Sequence, residues 1–340
     1  MAYAKAPFMD STLATGRLQS GGSAESGPRL SSSYTRVLDT EIFHEECGTG
    51  RPLVLLHGLN DSHRTWRGVL PELARTRRVL VPDLPGCGLS GRPDASYSLD
   101  WQANVVNAWL EALGLDEVDL VGHSYGGGVA QYMLLLQRQR IRRLSLVAAG
   151  GLGREVSFEL RLASLPRVVE MFGQPFMAPV AARALRAVGG VVGADEEEWL
   201  REVNARPGTA RAFARTVRDV IDWRGQTRHF LDRASEIQQL PPVSLFWGSD
   251  DRVIPHSQAA TTVAMLHGAS LTTFPGCGHF PHHQCPEEFA EAVLKFVDAP
   301  YARSVRFVAP EPETRTDLAS RLLNAWRKTL RPSGSDGLVA

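Results

Sequence analysis

The sequence predicts an α/β protein: a mostly parallel sheet with helices on both faces and a helical insertion in its second half. Three observations carry this. Short, continuous apolar runs recur at Leu53-Val54-Leu55-Leu56, Val79-Leu80-Val81, Val118 to Val121 and Leu144-Ser145-Leu146-Val147, and strands that are apolar on both faces belong to sheets covered on both sides, hence parallel ones. Helix-period stretches separate them, at Trp101 to Leu113 and Val129 to Leu136, as crossover connections require. From about Gly151 to Ser235 the strand pattern disappears, then returns at Val243 to Trp247 and Ser270 to Phe274.

Taken in order, residues 1–33 are rich in Ser, Gly and Ala and read as a flexible leader. They hold no apolar core of the kind a secretory signal needs. Thr35 to Glu46 alternates like a strand and stops at Gly48-Thr49-Gly50, an opening hairpin. The α/β body then occupies 34–150 and 236–299. The intervening 151–235 reads as an all-helical cap, with helical patches at Val180 to Val188, Glu196 to Val203 and Arg211 to Trp223, and a last body helix runs from Pro286 to Phe296. Residues 300–340 form a polar tail, in which Leu318, Leu322, Trp326 and Leu330 recur every four residues beside Arg321, Arg327, Lys328 and Arg331. That pattern over 315–331 is a basic amphipathic helix. Packing on the protein's own body is the plainest reading, ahead of a loose tail and of contact with a membrane surface or partner.

Composition removes several function classes. The chain has 340 residues, 43% hydrophobic and 22% charged, with 37 basic and 37 acidic side chains. A formal charge of zero argues against a nucleic-acid partner. No apolar run approaches the ~20 residues that span a bilayer. Four cysteines (Cys47, Cys87, Cys277, Cys285) without a CxxC pair indicate neither a disulfide scaffold nor a zinc site. The expectation is a reduced, cytoplasmic protein without metal or cofactor, its oligomeric state undetermined.

Gly122-His123-Ser124-Tyr125-Gly126 falls between a buried strand and a helix. Small residues there let the chain turn sharply, lift a serine hydroxyl out of the sheet and aim the following N–H groups at one point. Two further groups follow: carboxylates after a strand in Phe246-Trp247-Gly248-Ser249-Asp250-Asp251, and a histidine after the next in Gly276-Cys277-Gly278-His279. Serine, acid and histidine hanging from the carboxyl ends of successive strands are what acyl transfer needs. An imidazole takes the serine's proton, and a carboxylate fixes the imidazole's tautomer.

Other motifs carry less. Gly86-Cys87-Gly88-Leu89-Ser90-Gly91 fits a dinucleotide fingerprint, but Arg92-Pro93 stands where that motif needs a helix, so a glycine-rich loop beside the site is the better reading. His279, His282 and His283 with Cys277 and Cys285 lack both a matching carboxylate motif and helical spacing, because Pro281 interrupts them. The run Arg138, Arg140, Arg142, Arg143 suits the negative end of a helix dipole.

Over residues 34–299 the chain resembles the α/β-hydrolase superfamily, and most closely the bacterial serine hydrolases with a helical cap. The matching segments are Leu55-Leu56-His57-Gly58, Asp83-Leu84-Pro85-Gly86-Cys87-Gly88-Leu89-Ser90, Gly122 to Gly126, Trp247-Gly248-Ser249-Asp250-Asp251-Arg252 and Gly278-His279-Phe280-Pro281. The resemblance implies Ser124 as nucleophile, His279 as base and Asp251, by the Gly-x-x-Asp pattern, as orienting acid, with Asp250 as a solvated neighbour. It also implies an oxyanion hole from the backbone N–H groups of Leu59 and Tyr125. Ser124 separates the chain from the dehalogenase and epoxide-hydrolase branches, whose alkyl-enzyme esters need an aspartate there. The expected activity is hydrolysis of apolar carboxylic esters. C–C bond hydrolysis of meta-cleavage products is the alternative, and a silent binding protein a minor one. The usual Gly-His-Trp-Ala-Gln-Trp segment of the C–C hydrolases is here Gly278-His279-Phe280-Pro281-His282-His283. Phe158, Leu160, Leu162, Met171, Phe172, Phe176, Met177, Phe213 and Trp223 are the cap side chains expected to divide between the lid's own core and an acyl pocket.

Overall fold

The computed structural model describes residues 30–164, 168–190, 193–237, 239–300 and 305–308. The chain opens on an antiparallel hairpin, β1 (Ser31–Val37) and β2 (Thr40–Cys47), and continues with β3 (Arg51–Leu56), α1 (Leu70–Leu73), β4 (Arg77–Pro82), α2 (Leu99–Ala112), β5 (Val118–His123), α3 (Tyr125–Leu136) and β6 (Ile141–Val147). The cap segment holds α4 (Phe158–Ala163), α5 (Val168–Phe172), α6 (Gln174–Ala187), α7 (Ala194–Ala205), α8 (Thr209–Val220), β7 (Ile221–Asp222) and β8 (Gly225–Gln226). After it come β9 (Val243–Gly248), α9 (Ser257–Met265), β10 (Leu266–His267), β11 (Ser270–Phe274), α10 (Pro281–Gln284), α11 (Pro286–Asp298) and β12 (Arg306–Phe307).

Eight strands form one sheet in the order β1-β2-β4-β3-β5-β6-β9-β11. Every pairing from β4 to β11 is parallel, and only the β1–β2 hairpin and the β2–β4 contact are antiparallel. The continuous apolar runs explain this. Leu53 to Leu56, Val79 to Val81, Leu120 and Val121 are fully buried, because one face of the sheet packs on α2, α3 and α9 while the other packs on α1 and α11. Parallel β-strands end together, so the loops after β3, β5, β9 and β11 open on one edge, where open α/β sheets build their sites.

Several expectations need correction. Residues 31–33, assigned to the leader, pair with Glu46, Glu45 and His44 as part of β1. Residues 1–29 lie outside the described set, as does the amphipathic stretch 315–331. The tail does not begin as a free segment, since Val305 bridges Leu240 and β12 pairs with β10. The cap is not wholly helical: β7 and β8 form a two-residue ladder, Ile221 with Gln226 and Asp222 with Gly225. It is too short to leave an alternating pattern in sequence. Cys277 and Cys285 are disulfide-bonded, because α10 folds the chain back between them, whereas all four cysteines were expected reduced. Two of the four arginines in the run serve a different helix from the adjacent one, while Arg138 and Arg140 bond to Gln239, Ile141, Gln137 and Leu115. Arg143 donates to the carbonyls of Phe296, Val297 and Ala299, and Arg142 to Val297, which caps α11 rather than α3.

The cap is tied to the body through polar contacts. Arg92 donates to Thr209 Oγ1 and to the Val203 carbonyl, and Arg206 reaches the Gly88 carbonyl. On the other flank, Trp199 of α7 donates to Ser62 Oγ at 3.2 Å, with the Arg64 guanidinium 3.9 Å above its ring.

Candidate active site

Ser124 stands between β5 and α3 with φ 51° and ψ −115°. This is a strained region for a residue bearing a Cβ. Its N–H donates to the Val147 carbonyl at 2.9 Å, and its own carbonyl accepts from Gly127, Gly128 and Gly150. These bonds over-determine the turn. Gly126 permits it, since a Cβ there would lie 2.5 Å from the His57 carbonyl and 2.6 Å from that of Leu56. The first turn of α3 can therefore press against the end of β3.

The structure brings the three expected side chains together. Ser124 Oγ lies 3.0 Å from His279 Nε2, and His279 Nδ1 lies 2.9 Å from Asp251 Oδ2. The other carboxylate oxygen, Oδ1, accepts from the N–H groups of Val253 and Ile254. Asp251 and His279 are 8% and 4% exposed, so the chain of bonds is shielded from water. Asp250 points elsewhere: it is exposed and accepts from Ser249 Oγ. Tyr125 opens α3, so its N–H has no intrahelical acceptor, and Leu59 follows the Gly58 turn after β3. Both border the same cavity as Ser124.

Sequence reasoning missed the support around the histidine. His123 is fully buried, and its Nε2 donates to the His279 carbonyl at 2.9 Å. Burial, followed by the neighbouring His279, pushes its pKa well below the ordinary value, so it is neutral. His282 is buried and His283 half-buried, and both are structural groups. Both meet Thr65 Oγ1, and His283 also meets the Thr65 carbonyl. Burial lowers both pKa values, most strongly for His282, with the neighbouring histidines adding to it there. His57 holds the other side: Nδ1 donates to the Gly58 carbonyl at 2.8 Å and Nε2 accepts from the Leu84 N–H at 2.9 Å. An apolar surround rich in histidine was the one available sequence clue.

The glycine-rich loop 83–91 wraps a carboxylate instead of a phosphate. Asp83 accepts from the N–H groups of His63 and Leu89 and from His63 Nδ1. Burial pushes its pKa up, but the His63 hydrogen bond and charge outweigh it and the net shift is downward. Gly88, at φ +47°, cannot carry a side chain because a Cβ would stand 2.0 Å from Asp83 Oδ2. Among the described residues, no group of three or more His, Cys, Asp or Glu side chains is arranged to hold a metal ion.

A cavity partly open to solvent extends from Ser124 under the cap. Val156, Leu160, Val220 and Ile221 enter it from the cap, and Leu59, Leu99 and Ile254 from the body. Gln226 Oε1 accepts from the Gly151 N–H at 2.7 Å, and Arg228 is paired with Asp219. Of the nine cap side chains singled out in sequence, only Leu160 lines this cavity. Phe213 lines a smaller one next to it, also bordered by Leu59 and Tyr125. Met177 is buried, whereas Phe158, Leu162, Met171, Phe172, Phe176 and Trp223 are exposed.

Fold and site define a hydrolase of the α/β class. The family model for the alpha/beta hydrolase fold matches residues 51–286, and the chain belongs to that family. It is 38% identical over 261 residues to an uncharacterised protein of Mycobacterium tuberculosis strain H37Rv, covering 74% of this chain and 76% of that one. It is 30% identical over 273 residues to a 2-hydroxy-6-oxo-2,4-heptadienoate hydrolase of Pseudomonas putida, covering 75% and 91%. Among solved structures, it is similar to a membrane phospholipase A described as a bacterial virulence factor, with a TM-score of 0.67, 25% identity and coverage of 79% and 86%.

Proposed function

We propose that the protein hydrolyses carboxylic esters of apolar acids through an acyl-enzyme on Ser124. Ser124 Oγ attacks the ester carbonyl and its proton passes to His279 Nε2. Asp251 holds the Nδ1–H and stabilises the imidazolium. The N–H groups of Leu59 and Tyr125 meet the oxyanion, at about 3 kcal/mol of barrier lowering each. His279 then gives its proton to the leaving alcohol. A water, deprotonated by the same histidine, attacks the acyl carbon and releases the acid.

The observation that carries the ester reading is the cavity beside Ser124. Its lining is mostly apolar, and its one charged side chain, Arg228, is already neutralised by Asp219. An acyl chain there meets Val156, Leu160, Val220, Ile221, Leu59, Leu99 and Ile254, with Gln226 already hydrogen-bonded to the Gly151 N–H. C–C bond hydrolysis is the second reading, favoured by the 30% identity to the Pseudomonas putida heptadienoate hydrolase. It asks for more: a substrate that is first ketonised, and a polar cradle for a dienolate and a carboxylate.

The deciding experiment compares short and medium p-nitrophenyl esters with one meta-cleavage dienoate on the purified protein. Ester turnover that disappears in Ser124→Ala is the expected result. A kcat/KM for the dienoate exceeding that of every ester by tenfold, ~1.4 kcal/mol in transition-state binding, overturns the ester reading. A protein that neither turns over either substrate nor labels with a serine-reactive phosphonate is a silent member of the family.

A further inference from the structure

Among the described residues, the exposed phenylalanine and tryptophan side chains gather on the cap, and Tyr34 of β1 is the exposed aromatic of the body. Phe158, Leu162, Phe172, Phe176, Val180 and Trp223 are each between 51% and 64% exposed, and no phenylalanine or tryptophan of the described α/β body is an exposed residue. Such a concentration on one segment is uncommon on a soluble surface and marks a contact surface.

Two features say what the contact is. The first is where these side chains sit relative to the cavity. The helix α4 sends Leu160 into the cavity while Phe158 and Leu162 face out, and the α8–β7 junction sends Val220 and Ile221 inward while Trp223 faces out. The Phe158 and Trp223 rings pack edge to face at 5.7 Å. The apolar exterior is thus one side chain away from the apolar path to Ser124.

The second feature is charge. Phe176, Val180 and Arg183 follow at helical spacing along one side of α6, and Phe172 closes α5 just before it. α6 carries Arg183 and Arg186 and no carboxylate of its own; Arg186 is paired with Glu197 of α7, which leaves Arg183 as the cation next to Val180, and α4 carries an exposed Glu159 between Phe158 and Leu162. The one acid of α5, Glu170, is held by Arg215 and Arg218. Apolar and aromatic side chains bordered by arginine are the chemistry of a helix lying in a lipid headgroup layer. The sequence beyond Val308 repeats it, with Leu318, Leu322, Trp326 and Leu330 beside Arg321, Arg327, Lys328 and Arg331.

We propose that the cap face formed by these side chains docks on a lipid surface, and that the esters this protein cleaves are acyl esters partitioned into that surface and admitted past Phe158 and Trp223. The docking stands on the exposed face alone, whereas the choice of substrate rests on the ester reading above.

Vesicles of phosphatidylcholine and phosphatidylglycerol, incubated with the full-length Ser124→Ala protein, separate the two. The protein sediments with the vesicles, and adding Phe172→Asp and Phe176→Asp lowers its partition at least tenfold, since two aromatic rings no longer enter the headgroup layer. With Ser124 intact, the same double variant cleaves a soluble p-nitrophenyl butyrate as the parent does. Should the double variant fail to fold, Phe176→Gln alone tests the same face. Failure to sediment with vesicles, or equal partition of parent and variant, overturns the docking. So does a dimer in sedimentation velocity that the double variant breaks while vesicle binding is absent, because the face then belongs to a second copy. Vesicle binding without any ester turnover supports the docking surface and removes the ester reading.

Discussion

Asp61 offers a sharp test of the electrostatics beside the oxyanion loop. It lies two residues after Leu59, is 2% exposed, and uses Oδ1 to accept the Ser62 N–H at 2.8 Å. Burial raises its pKa from 3.8 to about 7; the Ser62 and Thr65 hydrogen bonds pull against this, while Glu196 and Asp83 add to it. The native state therefore holds a proton that the unfolded chain releases near pH 4. Stability from this group is full below pH 4 and is lost as pH rises through about 7. The rise from 3.8 to about 7 corresponds to about 4 kcal/mol at pH 8, an upper figure once water and side chains relax around the charge. Asp61→Asn keeps the acceptor toward Ser62 and carries no charge at any pH. The stability difference, variant minus wild type, should be near zero at pH 4 and rise to between about 1 and 4 kcal/mol in the variant's favour at pH 8. Urea denaturation midpoints and slopes at several pH values measure it, and titrations common to both proteins cancel in the difference. Parallel pH profiles, or a variant less stable at pH 8 than at pH 5 relative to wild type, would refute the buried-acid argument.

Three further outcomes follow from the same geometry. Asp251→Asn lowers kcat by at least about a thousandfold because it upsets the tautomer of His279, while Asp250→Asn, on an exposed side chain, changes it less than about threefold; equal losses in steady-state kinetics contradict the assignment. Burial holds His123, His282 and His283 neutral, whereas the unfolded chain protonates them below about pH 6.5, so melting temperature should fall as pH drops through and below that value. His282→Gln should flatten that fall, and an unchanged slope excludes His282 as a contributor. Gly126→Ala drives a methyl into the Leu56 and His57 carbonyls, so it should cost more than about 2 kcal/mol in denaturant titration and at least a hundredfold in kcat; near-wild-type values in both would mean that α3 is free to shift.

Much of the α/β body was legible in sequence because its strands are buried on both faces. Leu53 to Leu56 and Val118 to Val121 announce themselves as unbroken apolar runs, and the residues immediately after them are the ones that the sheet edge gathers. The bond from Ser124 to His279 joins positions 155 apart, yet strand order, the Gly122 to Gly126 turn and the resemblance carried by the Gly278-His279 segment named both ends. The cap was less legible for a definite reason. A phenylalanine on a lid helix carries the same pattern whether it faces its own core, the cavity or the exterior, and Phe172 and Phe176 face outward while the smaller Val156 and Ile221 line the cavity. Nor does periodicity reveal polar groups held by distant partners. Thr65 meets His282 and His283 across more than 200 residues, and nothing local marks the three as one group.

That division between body and cap has a chemical consequence. Every group that would move a proton or meet the oxyanion is fixed by the body. Ser124 is held by backbone bonds to the end of β6, Asp251 by its own loop, and His279 by His123 from beneath. The cap supplies Val156, Leu160, Val220 and Ile221, none of which can exchange a proton. Substitutions in these four should therefore alter which acyl chains are accepted, through KM and through the length of chain that fits, while the pH dependence of turnover stays with the body. Enlarging Leu160 to Phe is the direct case: the added ring volume must come out of the cavity, since the body wall formed by Leu59, Leu99 and Ile254 is itself packed against the sheet's apolar core. Rates on the longest esters should fall first, with acetate esters spared. A uniform loss across all chain lengths would mean that Leu160 supports the serine turn and does not bound the pocket.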